Sequence, residues 1–207
     1  MILSLIYNTI VSVLIVSAIL TAAILVVRVG TAVKLKQTRE DLCSSKDGKI
    51  IAFFHPACDS GGGGEKVLFQ AIKSIQDLPK LSDFTLLIYS GSDRKPQDIL
   101  KRVKDRFSID VTLTKNNLKF IKIEKHAEMN PALYPSFTML WQMLACNKAC
   151  IESVSKVPCD VFIDTVGVGF AYPLVRLLFG CSVVSYTHYP TISSDMLAQI
   201  DVNQFNN

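Results

Sequence analysis

Four glycines, Gly61, Gly62, Gly63 and Gly64, stand side by side within FFHPACDSGGGGEKV (residues 53–67). The whole 207-residue chain holds ten, so this clustering needs a cause. A flexible linker uses glycine for freedom, whereas a loop pressed against a ligand uses it for clearance and for positive φ. An apolar run ends just before the stretch and a helix-patterned run begins just after it, which argues against a linker. A helix amino terminus offers N–H groups without intrahelical partners and a partial positive charge, a setting that suits a phosphate or diphosphate. Glu65 in that first turn favours the same dipole and reads as ordinary helix-start chemistry.

Known phosphate loops fit poorly. A Walker A loop needs G-x-x-x-x-G-K-[ST], but Glu65 separates the last glycine from Lys66, and Val67 replaces the hydroxyl that would hold magnesium. The dinucleotide fingerprint G-x-G-x-x-G fits at Gly61 and Gly63 and fails at Lys66, with Asp83 at a suitable spacing for a ribose contact. A membrane-tethered, dinucleotide-binding oxidoreductase is therefore kept as a third-ranked reading.

The second chemical stretch is SYTHYPTISSDM, residues 185–196. His188 follows a predicted strand and precedes Tyr189 and Pro190. A histidine placed there can donate to a sugar hydroxyl or a phosphate, or bond a backbone carbonyl. His188 is the candidate catalytic residue and Tyr189 a candidate substrate contact. His55 also ends a predicted strand, where His55–Pro56 reads as shaping a turn. His126 and Glu128 fall in a polar loop and receive no role.

The elements that must position these residues alternate. KIIAFFH (49–55) is a short continuous apolar run, as expected of a strand buried on both faces. GEKVLFQAIKSIQ (64–76) carries Val67, Leu68, Ala71, Ile72 and Ile75 at helical spacing. A strand is expected over 83–91 and a helix over 96–107, opened by Pro96. LKFIKIE (118–124) reads as a strand with one wetter face. Ser136 is placed to cap a long helix that packs under the sheet. Buried strands are expected over 159–165 and 181–188, with a helical segment interrupted by Pro173 between them. This order implies an α/β fold, a Rossmann-like parallel sheet with helices on both faces and ligands at the carboxyl ends of the strands.

Before this domain, Met1 to Val27 contains no charged side chain and is long enough to span a bilayer as a helix. A cleaved signal peptide would want a basic leader and a shorter apolar core. Here the basic residues Arg28, Lys34, Lys36 and Arg39 follow the run, which places the amino terminus in the lumen and the rest in the cytosol. The organisation expected is a transmembrane anchor over 1–29, a basic and polar linker over 30–48 and a domain over 49–207.

A cytosolic domain lies in a reducing compartment, so Cys43, Cys58, Cys146, Cys150, Cys159 and Cys181 are expected as thiols. Cys146 and Cys150, spaced i, i+4, could share a metal, but no second Cys or His pair completes a site. They read as small hydrophobes, and no metal is expected. The net charge of +4 lies largely beside the anchor, where it meets anionic lipid; nucleic acid is not an expected partner.

FFHPACDSGGGGEKVL together with FIDTVGVGFAYPLVRLLFGCSVVSYTHYPTISSDML resembles the amino-terminal portion of the GDP-mannose-dependent α-1,2-mannosyltransferases of asparagine-linked glycosylation. The resemblance runs from about residue 49 to residue 197. It implies a retaining GT-B glycosyltransferase, built of two Rossmann-like halves across a cleft, that extends a dolichol-diphosphate-linked oligosaccharide on the cytosolic face of the endoplasmic reticulum. By that resemblance Gly61 to Gly64 approach the diphosphate, and His188 lies near the transferred sugar. The family needs no metal and no cofactor, consistent with the lack of a D-x-D motif. The implied partners are GDP-mannose, the lipid-linked oligosaccharide, the endoplasmic reticulum membrane and other mannosyltransferases of the pathway.

The family's second half, with most nucleotide-sugar contacts, is absent from these 207 residues. The expectation is a fragment, a truncated isoform or a half-enzyme, with little transferase activity of its own. The alternative is a non-catalytic, membrane-anchored subunit that recruits a donor-binding partner.

Overall fold

The computed structural model describes residues 2–45 and 48–187. Five parallel strands form one sheet: β1 (Ile50–Phe54), β2 (Thr85–Ser90), β3 (Lys119–Lys122), β4 (Val161–Asp164) and β5 (Ser182–Ser185), in the order β3-β2-β1-β4-β5. The helices are α1 (Ile2–Leu42), α2 (Gly63–Gln76), α3 (Pro96–Phe107), α4 (Thr138–Lys156) and the short α5 (Tyr172–Leu174), which runs on as a wider turn over Val175–Phe179. This is the Rossmann-like α/β architecture that the alternation predicts.

The strict two-residue period of a strand explains why β1 is apolar throughout. Ile50, Ala52 and Phe54 enter one core with Leu87, Tyr89, Phe162 and residues of α4. Ile51 and Phe53 enter the other with Leu86, Ile88 and the apolar faces of α2 and α3. Both faces are dry, so alternation disappears from the sequence. Phe162 stacks on Phe54 with ring centroids 5.7 Å apart, tying β4 to β1. Tyr89 is fully buried, and its hydroxyl donates to the Val157 carbonyl at the end of α4, so the polar tip is satisfied.

Several local expectations change. Ser136 does not cap α4: Phe137 holds the cap position with φ 51°, and no side chain caps the helix. Pro173 does not interrupt a helix, because it sits in the first turn of α5, where its missing N–H costs nothing. β5 is not a buried strand: Ser182, Val184 and Ser185 are exposed, since β5 lies at the edge of the sheet among the described residues. Asp83 precedes β2, at the amino edge of the sheet, whereas the glycine turn follows β1 at the carboxyl edge. A ribose contact from Asp83 is thereby ruled out.

The expected polar linker is also largely helical. α1 continues without a break to Leu42. Gly30 is the one glycine in that stretch of α1, and one glycine costs only about 1 kcal/mol relative to alanine. Beyond it, Leu35 and Leu42 pack against the domain core. Arg39 forms a two-pronged ion pair with Asp160, which also accepts the Ile50 N–H. Lys34 donates to the Ser155 carbonyl, and Thr85 and Asn117 donate side-chain hydrogen bonds to the Leu42 carbonyl. The amino-terminal part of α1 is long and apolar enough to cross a membrane, and Leu5, Leu14, Leu20 and Val26 are exposed along it.

Candidate functional site

Parallel strands bring the carboxyl ends of β1, β2, β3 and β4 to one edge, and the loops that leave them build the site. The turn after β1 is stitched to the turn after β2. Tyr89 accepts the His55 N–H at 3.2 Å, and Pro56 accepts the Gly91 N–H at 2.8 Å. Cys58 and Ser90 are in contact through Sγ and Oγ at 3.1 Å. Asp59 accepts from Ser92 at 2.8 Å and from Arg94 at 3.0 Å. A glycine stretch entered through so many cross-links is an ordered turn, which removes the linker reading.

Within that turn the glycines do different work. Gly61 has φ +82°, and a Cβ there would also stand 2.8 Å from the Arg106 guanidinium, so its requirement for glycine is internal to the fold. Gly62 is the cap residue of α2, in an extended conformation with no side chain to offer. Gly63 opens the helix, and a Cβ added to it would meet nothing within 4 Å. Gly64 lines a cavity of about 720 Å³.

Glu65 is more than a helix-start acid. It is 5% exposed. Burial pushes its carboxyl up, but hydrogen bonds from Ser60 and from the Glu65 and Gly62 amides, with the nearby His55, outweigh that and leave it below the usual carboxylate range. The carboxylate thus takes two first-turn donors for itself, in the manner of the returning arm of a capping box. Gly63 and Gly64 carry the first-turn amides that Glu65 does not use. The cradle is narrower than the sequence suggests.

The cavity is lined by His55, Pro56, Ala57, Gly64, Glu65, His126, Ala127, Met129, Asn130, Thr165 and Val166. Most of this wall is apolar, with a few convergent polar groups, the composition of a small-molecule site. His55 Nδ1 lies 2.7 Å from Thr165 Oγ1, and its Nε2 lies 3.8 Å from Glu65 Oε1. His126 Nδ1 donates to the Ile123 carbonyl at 2.8 Å. The loop after β4 is held by Asp164, whose carboxylate accepts the amides of Val166, Gly167 and Val168 and the Tyr172 hydroxyl. A buried carboxylate that gathers four donors needs no cation to be satisfied.

His188 and Tyr189 lie outside the described residues. Nearby, β5 ends at Ser185 beside Asp164, at this same edge. His55, read from sequence only as shaping a turn, and His126, given no role, both line the cavity. The rule that drew attention to His188, a histidine directly after a strand, applies equally to His55. His126 carried no such signal, because β3 is a four-residue strand followed by a short helical turn.

Each of the six cysteines is a free thiol. Cys58, Cys150, Cys159 and Cys181 are buried in the two cores, and Cys43 and Cys146 are half-buried. Burial pushes the Cys58 thiol up to about 11. No group of three or more His, Cys, Asp or Glu side chains able to hold a metal occurs among the described residues.

A parallel sheet with a glycine turn and a mixed cavity at its carboxyl edge defines an α/β domain of the Rossmann-like class. Sequence comparison makes this particular. The family model described as ALG11 mannosyltransferase N-terminus matches residues 48–207, and the chain belongs to that family. It is 37% identical over 155 residues to the GDP-Man:Man(3)GlcNAc(2)-PP-Dol alpha-1,2-mannosyltransferase of Dictyostelium discoideum, covering 75% of this chain and 30% of that protein. The Homo sapiens protein of the same name is 36% identical over 191 residues, 90% of this chain and 38% of the relative. For Xenopus tropicalis the match is 39% over 168 residues, 81% and 34%. The chain spans about a third of the length of these curated relatives.

Proposed function

We propose that this chain is the acceptor-side, Rossmann-like portion of a retaining α-1,2-mannosyltransferase. The reaction is transfer of mannose from GDP-mannose to a dolichol-diphosphate-linked Man(3)GlcNAc(2) oligosaccharide during protein N-glycosylation. Family membership over residues 48–207 carries this reading, since the relatives are named for that donor and that acceptor.

The geometry supports it in two ways. The Gly63 and Gly64 amides at the start of α2 suit the diphosphate, where negative charge grows as the nucleotide departs. The cavity offers C–H surface from Pro56, Ala57, Met129 and Val166 beside hydrogen-bonding groups of His55, His126, Asn130 and Thr165. A sugar ring presents the same mixture, apolar faces and hydroxyl edges. His188 is assigned to the transferred sugar and Tyr189 to substrate contact. Arg28, Lys34, Lys36 and Arg39 follow the apolar part of α1, so the domain is placed on the cytosolic side of the endoplasmic reticulum membrane with the amino terminus in the lumen.

The test titrates the purified 207-residue chain, in detergent, with Man(3)GlcNAc(2) diphosphate on a short prenyl chain and, separately, with GDP-mannose. Retention of the acceptor, weak retention of GDP-mannose and little turnover are expected. Failure to bind the acceptor, or full transfer by the chain unaided, sinks the acceptor-side assignment. A second reading, a non-catalytic anchored subunit, draws on Phe137, Met139, Leu140 and Trp141, which expose apolar surface at the start of α4. Co-purification of a donor-binding protein that restores turnover favours it.

A further inference from the structure

The face of α1 that meets the domain begins where the apolar run ends. Arg28, Thr31, Leu35, Thr38 and Leu42 recur at spacings of three and four, so they share one side of the helix. Leu35 and Leu42 pack on the domain core. At the other end of this stripe the Arg28 guanidinium lies against Gly180: a Cβ built on that glycine would stand 3.1 Å from Nη2. Between these points α1 runs beside the wide turn Val175–Phe179. Arg28 carries the first charged side chain of the sequence. The domain therefore touches its helix with no intervening length.

This contact falls at a definite depth. As a helix, Ile2 to Val27 measures about 39 Å at about 1.5 Å per residue. The hydrocarbon core of a bilayer is about 30 Å thick, and about 40–45 Å with its headgroups. An anchor of that length leaves Arg28 among the headgroups, and Gly180 with it.

The turn suits such a place. Leu177 is 53% exposed. Arg176 lines a recess of about 400 Å³ with Pro173, Val183 and Ser185. It is the one charged side chain in residues 165–187, so no acid there repels an anion. Arg39 and Arg94 are paired with Asp160 and Asp59, whereas Arg28 and Arg176 have no carboxylate partner among the described residues. A guanidinium presents its donors in a fork that matches phosphate and carboxylate groups.

We infer that the turn Val175–Gly180 is a second membrane contact of this chain. It lies in the headgroup layer, where Arg176 and Arg28 bind the headgroup of an anionic lipid and Leu177 meets the acyl boundary. The inference rests on α1 crossing the bilayer, and adds to that anchor a face of the folded domain. Gly180 precedes β5, so the amino edge of the sheet meets the lipid and the cavity opens at the opposite edge. Two points of attachment hold the domain in one orientation.

The experiment places the 207-residue chain, isotopically labelled in glycine, in phosphatidylcholine nanodiscs. A small share of the lipid carries a nitroxide just below the headgroup. The amide signals of Gly30 and Gly180 should broaden, while those of Gly62, Gly63 and Gly91, at the opposite edge, should stay sharp. With spin-labelled phosphatidylserine in place of spin-labelled phosphatidylcholine, broadening of Gly180 should rise about fivefold or more. Arg176→Gln should cut that preference about fivefold, and Arg176→Lys, which keeps the charge, should retain most of it. An unchanged melting temperature shows that each variant is folded. A sharp Gly180 signal beside a broadened Gly30 keeps the anchor and overturns the contact. Sharp signals from both remove the anchor and the contact with it. Equal broadening by the two lipids, or a preference that survives Arg176→Gln, overturns the assignment of the arginines to an anionic headgroup.

Discussion

The imidazole of His126 presses on Gly91 so closely that a Cβ built on that glycine would stand 2.3 Å from two of its ring carbons. Gly91 ends the run that leaves β2, and its amide is bonded to the Pro56 carbonyl. The wall of the cavity thus depends on a missing methyl group. Gly91→Ala should expel the ring and break its hydrogen bond to the Ile123 carbonyl, at about 1 kcal/mol. Thermal unfolding reads the cost and the His126 ring signals read the displacement. An unmoved ring would show that the backbone yields instead.

Gly61 and Gly63 should separate fold from ligand contact. Gly61→Ala places a side chain in the left-handed region and against Arg106, and should cost about 1–2 kcal/mol of stability. Gly63→Val points into open space, so unfolding should stay within about 0.5 kcal/mol, while the weak retention of GDP-mannose falls at least tenfold. Equal destabilisation by both changes would remove Gly63 from the ligand surface.

Acid should loosen the turn through Glu65. Its folded carboxyl titrates below its unfolded value of about 4.3, so the stability it contributes is complete above that pH. It is lost as pH falls through the folded value. Glu152 behaves alike, since hydrogen bonds from Lys156 and from the Glu124 and Lys125 amides outweigh its burial. Urea unfolding between pH 5 and 3, a range of about two units around that value, should show a shallower acid slope in Glu65→Gln. An identical slope would mean that Glu65 is not ionised in the folded chain.

Thiol chemistry should follow burial. Cys43 is half-buried where α1 meets the domain, whereas Cys58 and Cys150 are buried and their thiols are pushed up by desolvation. Brief treatment of the folded chain with iodoacetamide should label Cys43 first. Mass spectrometry that finds Cys150 labelled early would show that α4 leaves the sheet readily.

The sheet was legible because its strands are extreme: Ile50 to Phe54 and Thr85 to Ser90 are buried at every position, and each apolar run is bounded by polar sequence. The helix over Pro96–Phe107 matched its expected ends because Pro96 and the left-handed Ser108 terminate it locally. What pattern could not show were decisions made by tertiary partners. Glu65 looked like any first-turn acid until Ser60, Gly62 and His55 closed around it. Phe137, a poor cap by type, holds the cap position in left-handed backbone, and its carbonyl accepts the Trp141 N–H. The residues of 30–42 are polar enough for a linker and helical enough for a strut, and contacts with Ser155 and Asp160 decide between them.

A helix that runs unbroken from its apolar segment into the base of the sheet leaves the domain no elbow. From Arg28 to Leu42 is about 20 Å of rod, pinned at Ser155, Asp160 and Thr85, and the glycine turn stands one strand further on, at the opposite edge of the sheet. The stand-off between a bilayer and the cavity is then set by residue count, without contribution from a swinging tether. On the acceptor reading proposed above, a lipid-borne sugar would have to match that altitude with its own length, and the reach of the protein would then select by size. Adding or removing a helical turn between Arg28 and Lys34 would retune that selection while leaving every residue of the cavity unchanged.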